Sequence, residues 1–429
     1  MTKNEFKKFM ENYPVFLDGA TGSNLQKMGM PFGVCTEKWI TENEDVLIKI
    51  QREYVESGSQ IVYAPTFGAN SIKLREYGLE DEAVELNKKL VEISKKAVDG
   101  KALVAGDITM CGQNLIPLGE LSLEELIASY EQQIKAIDDA GADLLVIETM
   151  MSLQETRAAL IAASNVSELP VMVTMTFGDG GKTLYGTDAR TAAIVLESLG
   201  ADAVGMNCSA GPDKMVELVK QVKEVTNLPV IAKPNAGMPV LGKNGETLYD
   251  MDASEFAEHM KEICKAGAKI LGGCCGTNPE YIKAVKEAVT KVESTESEID
   301  KYISSERNYL NISDINYCCI DAGADEDIVQ ELEDDEYDTI YDLLDDMEDE
   351  EQNAVLLRVT GSDDELGTLK TVLTEITGYA TYPIIFETEN EDVLEYALKN
   401  YCGRAAVKFN DADNKALYDI SYKYGACII

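Results

Sequence analysis

Ala203-Val-Gly-Met-Asn-Cys-Ser-Ala-Gly-Pro212 shows the recurring element of this chain: a near-continuous apolar run, two polar side chains, then a Gly-Pro turn. Seven other runs share the form: Val15–Ala20, Ile61–Phe67, Ala102–Ile108, Leu144–Thr149, Val171–Phe177, Pro229–Asn235 and Ala268–Cys275. Helically spaced apolar residues separate most neighbours, as in Val46–Ser57 and Leu123–Asp139. Strands that are apolar on both faces and alternate with helices imply a buried parallel sheet. Eight of them in the first 290 residues fit a (β/α)8 barrel, which takes roughly 250. A doubly wound open sheet is the alternative. The expected fold class is α/β, with an N-terminal (β/α)8 TIM barrel over residues 1–291.

Beyond the barrel the composition changes. Lys291–Tyr302 is polar without a core pattern and reads as a linker to a smaller α/β domain at 303–429. Asp321–Glu351 holds 17 Asp/Glu and no Lys or Arg. Ile328, Leu332, Ile340, Leu343, Leu344 and Met347 recur there at helical spacing, which predicts a solvated acidic helix pair. Ala354–Val359, Pro383–Glu387, Ala405–Phe409 and Ala426–Ile429 are strand-like, giving about half a barrel. An unclosed parallel sheet leaves an edge needing cover, so a docking role or homo-oligomerisation through this domain is open.

The 429 residues carry 77 Asp+Glu against 38 Lys+Arg, a formal charge of −39, and one histidine, His259. Residues 291–429 hold 35 acids and 10 bases, so about −25 of that charge lies outside the barrel. Such a balance argues against binding nucleic acid, which needs clustered Lys/Arg, and against docking on an anionic membrane. A lone histidine excludes any site needing two and argues against Ser-His-Asp chemistry. No apolar run approaches a membrane span, and Met1-Thr-Lys-Asn-Glu-Phe-Lys-Lys lacks the apolar core of a signal peptide. The ten cysteines are therefore expected as reduced thiols in the cytoplasm.

A barrel carries its site at the C-terminal ends of its strands. Those ends read Asp18-Gly-Ala-Thr-Gly, Thr66-Phe-Gly-Ala-Asn, Gly106-Asp107, Glu148-Thr149, Asn207-Cys208, Lys233-Pro-Asn235 and Gly272-Gly-Cys274-Cys275-Gly. Three cysteines thus meet at one rim, and Gly272, Gly273 and Gly276 free the backbone to turn both members of the pair inward. Three thiolates select a soft tetrahedral ion, and zinc with three protein ligands keeps one position open for substrate. Such a site suits activation of a substrate thiol for attack on an electrophilic carbon, with no imidazole base. The alternative is that Cys208, Cys274 and Cys275 are buried apolar fillers. Asp18 and Glu148 can receive an α-ammonium group, and backbone N–H groups of Gly19–Gly22 and Phe67–Gly68 a carboxylate. A helix N-cap or a solvated loop position is the other reading of each acid. Asn235 can fill the open zinc position through its side-chain oxygen, or serve only as a turn residue. Thr66 and Asn207 join Asp18, Gly19, Phe67 and Glu148 as candidate substrate-binding residues. Cys318-Cys319 has no third cysteine nearby and reads as core, and His259 as a surface or helix-packing residue.

Asp18-Gly-Ala-Thr-Gly, Thr66-Phe-Gly-Ala-Asn, Glu148-Thr, Gly205-Met-Asn-Cys-Ser and Gly272-Gly-Cys-Cys-Gly-Thr together resemble the homocysteine S-methyltransferase family, from about residue 13 to 290. Within it, the branch most similar is the homocysteine-binding domain of cobalamin-dependent methionine synthases. Betaine-using relatives carry a tyrosine where this chain has Thr149. The resemblance implies Zn2+ on Cys208, Cys274 and Cys275, Asn235 as displaceable fourth ligand, and homocysteine held by Asp18 and Glu148. It implies methylation of homocysteine to methionine, with methylcobalamin supplied by a separate corrinoid protein. Two other readings stay open: a free sulfonium donor such as S-methylmethionine, and a non-catalytic zinc protein that docks a corrinoid partner. Ser305-Glu-Arg-Asn and Pro383-Ile-Ile-Phe-Glu through Tyr401-Cys-Gly-Arg are similar to the first part of the pterin-binding barrel of those synthases. Leu357-Arg-Val-Thr-Gly and Glu387 replace that domain's Asp-x-Asn and Asp, which argues against folate binding.

Overall fold

The computed structural model of the chain describes residues 1–209, 211–241, 247–291, 299–410 and 414–429. Residues 292–298, the centre of the expected linker, lie outside the described residues. Two compact units are present, Met1–Tyr185 with Gly200–Ser297, and Gly186–Leu199 with Glu298–Ile429. The Gly186–Leu199 segment therefore falls with the second unit and not with the residues that flank it in sequence.

The first unit contains eight parallel strands: β1 (Val15–Phe16), β2 (Ile61–Ala64), β3 (Leu103–Ile108), β4 (Leu144–Met150), β5 (Val171–Met175), β6 (Ala203–Asn207), β7 (Val230–Lys233) and β8 (Ala268–Leu271). Their order in the sheet is β1-β8-β7-β6-β5-β4-β3-β2. The two ends of that order are tied together. The Gln60 N–H donates to the Phe16 carbonyl at 2.7 Å, and the Tyr63 N–H to Asp18 Oδ2 at 2.8 Å. The sheet is thus a nearly closed barrel, and the open doubly wound alternative is excluded.

Val15, Leu17, Ile61, Tyr63, Leu144, Val146, Met172, Ile231 and Ile270 fill the barrel interior, with Phe6 and Met10 of the N-terminal helical segment packed against the same cluster. Most strands stop one to four residues before the ends of the apolar runs. The polar and glycine tails that the sequence attaches to each strand are therefore loop, and the rim side chains stand on loops held by a rigid sheet. Among the described residues no helix is long and apolar enough to cross a membrane.

The second unit has a five-stranded parallel sheet in sequential order: β9 (Tyr317–Asp321), β10 (Ala354–Arg358), β11 (Ile384–Glu387), β12 (Ala406–Lys408) and β13 (Cys427–Ile428). Ile303, Leu356, Ile385, Ala406 and Cys427 form one of its cores. The acidic segment folds as the expected helix pair, Glu326–Glu333 and Asp338–Asp345, burying Ile328, Ile340 and Leu344. At the strand ends Arg358 pairs with Asp321 at 2.7 Å and with Glu387, which also meets Lys408 at 3.1 Å. Cys318 is buried as expected. Cys319 is exposed, because neighbours on an edge strand alternate between its two faces.

Candidate functional site

The three rim cysteines converge. Cys208, Cys274 and Cys275 place their sulfur atoms within 4.8 Å of one another, and Cys208 Sγ lies 3.8 Å from Cys275 Sγ. Local backbone makes this arrangement. Cys208 adopts a left-handed conformation, φ +49°, just past β6, while its N–H donates to the Lys233 carbonyl at 3.3 Å. Gly276 turns the chain at φ +84°, where an added Cβ would strike the Tyr249 ring. The Cys274 N–H donates to the Pro234 carbonyl at 2.7 Å, and the Ala236 N–H to the Cys275 carbonyl at 2.9 Å. The loops after β7 and β8 are thereby laced together.

The donor set fits a zinc ion. Two thiolates on one tetrahedral zinc, with bonds of ~2.3 Å, stand ~3.8 Å apart. That is the Cys208–Cys275 separation. Hydrogen bonds from Cys208, then Cys274, and from the Tyr249 phenol hold the Cys275 thiol far below its ordinary value, while the same cluster pushes Cys208 and Cys274 up, so the group favours one thiolate at Cys275.

Beside the thiols lies a cavity of about 290 Å³, lined among others by Asp18, Gly19, Phe67, Asp107, Glu148, Lys233 and the three cysteines. Its lining carries buried charged side chains. Lys233, which the sequence reading quoted without a role, is buried with Nζ 3.3 Å from Asp18 Oδ1 and 3.5 Å from Glu148 Oε2. The Asp18 contact is an ion pair without hydrogen-bond alignment. The ammonium also sits 3.7 Å from the Tyr63 ring centroid. Burial works against the Lys233 charge, yet Glu148 and Asp18 outweigh it and hold its pKa well above the ordinary value. Burial raises Asp18 and Glu148, and Lys233 opposes that rise. Asp107 is pushed well above the carboxylate range by burial first and by the Glu148 charge second.

Glu148 reaches the cavity through an irregularity in β4. The pairing with β5 shifts register between Ile147 and Met150, and Thr149 takes φ +60°. Asn207 locks that kink. Its Oδ1 accepts from the Thr149 N–H at 2.8 Å and the Thr174 hydroxyl at 2.8 Å, and its Nδ2 donates to Thr149 Oγ1 at 2.7 Å. Asn207 is thus engaged by the protein, and it is absent from the described lining of the cavity. The same holds for Thr66, whose hydroxyl donates to the Asp107 carbonyl and accepts from the Asp107 N–H, both at 2.8 Å. Asn235 Oδ1 accepts from the Cys275 N–H at 3.1 Å, and its Nδ2 donates to the Ser209 carbonyl at 3.2 Å. The Gly68 N–H, a candidate carboxylate holder, already donates to Glu37 Oε1 at 2.8 Å. Gly19 has no room for a side chain, since a Cβ there would lie 2.6 Å from Thr277 Oγ1 and 2.7 Å from the Tyr54 hydroxyl.

Residues 15–289 match the family model for homocysteine S-methyltransferase. The chain belongs to the homocysteine S-methyltransferase family. Members with this likeness include methionine synthase of Mycobacterium tuberculosis, 28% identical over 92% of this chain and 36% of that protein. Methionine synthase of Mycobacterium leprae is 32% identical over 64% of this chain and 24% of its own length. The chain therefore spans about a third or less of the curated relatives it matches. In fold it is similar to the homocysteine methyltransferase MmuM from Escherichia coli in its metallated form, with a TM-score of 0.56, 24% identity, and coverage of 66% of this chain and 99% of that one. The matched residues include those whose side chains build the thiol cluster and line the cavity.

Sequence reasoning missed Lys233, Glu37, Asp107 and Tyr249 as functional residues. Lys233 carried a signal, because a charge closing the otherwise apolar strand Val230-Ile-Ala-Lys233 has no solvent face to occupy. Tyr249 carried none, since its approach to Cys275 depends on the loop after β7.

Proposed function

We propose that this protein is a zinc-dependent methyltransferase that converts homocysteine to methionine, taking the methyl group from methylcobalamin on a separate corrinoid protein in the cytoplasm. The observation that carries the reading is the convergence of Cys208, Cys274 and Cys275 beside a cavity floored by Asp18, Glu148 and Lys233. Cys208, Cys274 and Cys275 would hold the zinc. Zinc bound there supplies the Lewis acidity that lowers a substrate thiol's pKa and leaves a nucleophilic thiolate at neutral pH. Asn235 holds the Cys275 main chain, and Asn207 holds Glu148 at the cavity wall. Asp18 and Glu148 with Lys233 make a pre-charged floor for the amino-acid end of the substrate. The substrate sulfur then forms a bond to the methyl carbon as the carrier departs with the former bonding pair. The thiol proton goes to solvent.

A macromolecular donor is favoured by the mouth of the barrel. Phe32, Tyr77, Ile116, Leu118, Leu184 and Met238 are exposed apolar side chains in the loops and, for Tyr77, the short helical turn that follow barrel strands, the end at which the cavity opens. Scattered apolar residues on a surface need no explanation, but in the barrel unit those described as exposed all lie in the segments that follow strands, which suits contact with a protein at that end.

The test is metal content and turnover of Cys208→Ser and Cys275→Ser, with homocysteine offered methylcobalamin-loaded corrinoid protein or S-methylmethionine alone. Both variants are expected to lose zinc and at least ~100-fold in activity, following the penalty for losing a metal ligand or its support. Full turnover by metal-free variants would sink the mechanism, and methylation from S-methylmethionine without any corrinoid would replace the donor.

A further inference from the structure

The second unit leaves one sheet edge bare. β9 runs Tyr317-Cys-Cys-Ile-Asp321, and among the described residues it pairs with β10 alone, without a break in register. The Ala354 N–H donates to the Asn316 carbonyl and the Ala322 N–H to the Arg358 carbonyl, so the alternation of a parallel ladder turns Cys318 and Ile320 toward β10. Tyr317, Cys319 and Asp321 therefore present their main-chain groups outward. Among the described residues only the Asp321 carbonyl finds a partner there, in the N–H groups of Ala324 and Asp325. Tyr317 is 40% exposed, and Cys319 is exposed as well. Natural edges are blunted by lysine, proline, a bulge or shortness. β9 has no lysine, proline or bulge, whereas β13 at the other edge is only two residues long.

The charges at this edge select what would cover it. At the C-terminal end of the sheet the register sets Asp321 beside Arg358, Arg358 beside Glu387 and Glu387 beside Lys408. The row alternates in sign. Arg358 Nη1 lies 2.7 Å from Asp321 Oδ2, Arg358 Nε 2.9 Å from Glu387 Oε1, and Lys408 Nζ 3.1 Å from Glu387 Oε2. It reaches the edge on an anion, and Asp321 Oδ1 is buried with no hydrogen-bond partner. Glu387 Oε2 also lacks a hydrogen bond but keeps its ion pair with Lys408. A strand laid beside β9 continues the row when it places a cation opposite Asp321. The acidic helix pair follows β9 directly, and its second helix packs against the strand, which favours the same sign. A second copy fits less well. Antiparallel pairing of two β9 strands about Cys319 would set Tyr317 against Asp321, and would bring together two C-terminal segments of about −25 each.

We propose that β9 is a docking edge that takes an extended segment of a basic partner protein as an added strand, with a lysine or arginine in register with Asp321. The segment's main chain pairs with the outward groups of Tyr317 and Cys319 and with the Asp321 N–H, and its basic side chain completes the charge row. The docking does not depend on the chemistry at the barrel mouth.

The probe is a blocked peptide of alternating lysine and valine, offered to the full-length protein. Anisotropy of the labelled peptide reads affinity, and amide hydrogen exchange reads the strand. Slower exchange within 317–321 is expected, with binding by this peptide and none by its glutamate–valine or lysine–proline counterparts. Proline keeps the charge of the added strand and removes its donors. Asp321→Asn is expected to weaken the peptide about fivefold, the worth of a cross-strand charge pair. Cys319→Pro deletes an outward N–H and spares the ladder to β10, and should weaken it about tenfold or more. Unchanged exchange along β10 checks that each variant keeps its sheet; should proline disturb it, Asp321→Asn and the peptide controls still decide. Equal binding of the lysine–proline peptide would mean attraction to an acidic surface without strand pairing, and would overturn the proposal. So would exchange within 317–321 that the peptide does not slow, or an affinity untouched by Asp321→Asn. A dimer by light scattering whose β9 is already protected would overturn it too, because a second copy would then hold the edge.

Discussion

Replacing Lys233 by methionine keeps the length of the side chain and removes the one cation between Asp18 and Glu148. Two buried carboxylates then lose their shared partner, and Lys233 also gives up its place 3.7 Å from the Tyr63 ring. Breaking a buried ion pair from one side costs about 3–5 kcal/mol, because the remaining charge has no solvent to return to. Trp39 is the sole tryptophan and packs on the cluster of Leu25, Ile40, Leu47 and Ile282, so its fluorescence reports the barrel unit. With a urea slope of about 3 kcal/mol/M, the midpoint is expected to fall by about 1 M or more at pH 7. The pH dependence has a definite sign. Burial already raises the pKa of Asp18 and of Glu148, and loss of Lys233 raises both further. A group whose folded pKa is raised contributes its full stability below its unfolded pKa, about 4, and loses it as the pH climbs through the folded value. The gap between variant and wild type must therefore be small near pH 4.5 and widen toward neutrality. The triple change Lys233→Met, Asp18→Asn, Glu148→Gln should recover most of the loss. A midpoint shift below about 0.3 M at pH 7, or a gap that does not vary with pH, would refute the claim that this ammonium balances the cavity floor.

Gly276→Ala should weaken zinc retention about tenfold, since a side chain at φ +84° is strained and its Cβ would strike the Tyr249 ring; competition with a chromophoric chelator measures it. Tyr249→Phe removes the phenol hydrogen bond to Cys275 and should cost metal affinity about 10-fold by the same assay, with the urea midpoint unchanged.

The legible parts of this molecule are those set by short-range pattern. Eight apolar runs ending in glycine and polar residues give the barrel, because a strand covered on both faces leaves no polar position except at its ends. The convergence of Cys208 with Cys274-Cys275 was legible for the same reason, since the strand ends of a closed barrel share one rim. The acidic helix pair of the second unit followed from Ile328, Ile340 and Leu344 recurring among unbroken acids.

What the sequence did not disclose is how polar groups at that rim divide between binding a ligand and holding the rim together. Asn207 and Thr66 stand at strand ends just as Asp18 and Glu148 do, and their residue types suit substrate contact equally well. The structure engages them with the backbone of neighbouring strands: Asn207 with the kink at Thr149, Thr66 with the main chain of Asp107. Glu37, which comes from a helix between β1 and β2, takes the Gly68 N–H that appeared free for a carboxylate. Each assignment depends on a partner 31 to 58 positions away, and no local pattern encodes such a pairing. The reverse inference is the useful one. Once the rim donors and acceptors have been matched with their partners, the ligand is read from the side chains left on the cavity wall, and at this rim those include Asp18 and Glu148 with their shared Lys233 beside the three thiols.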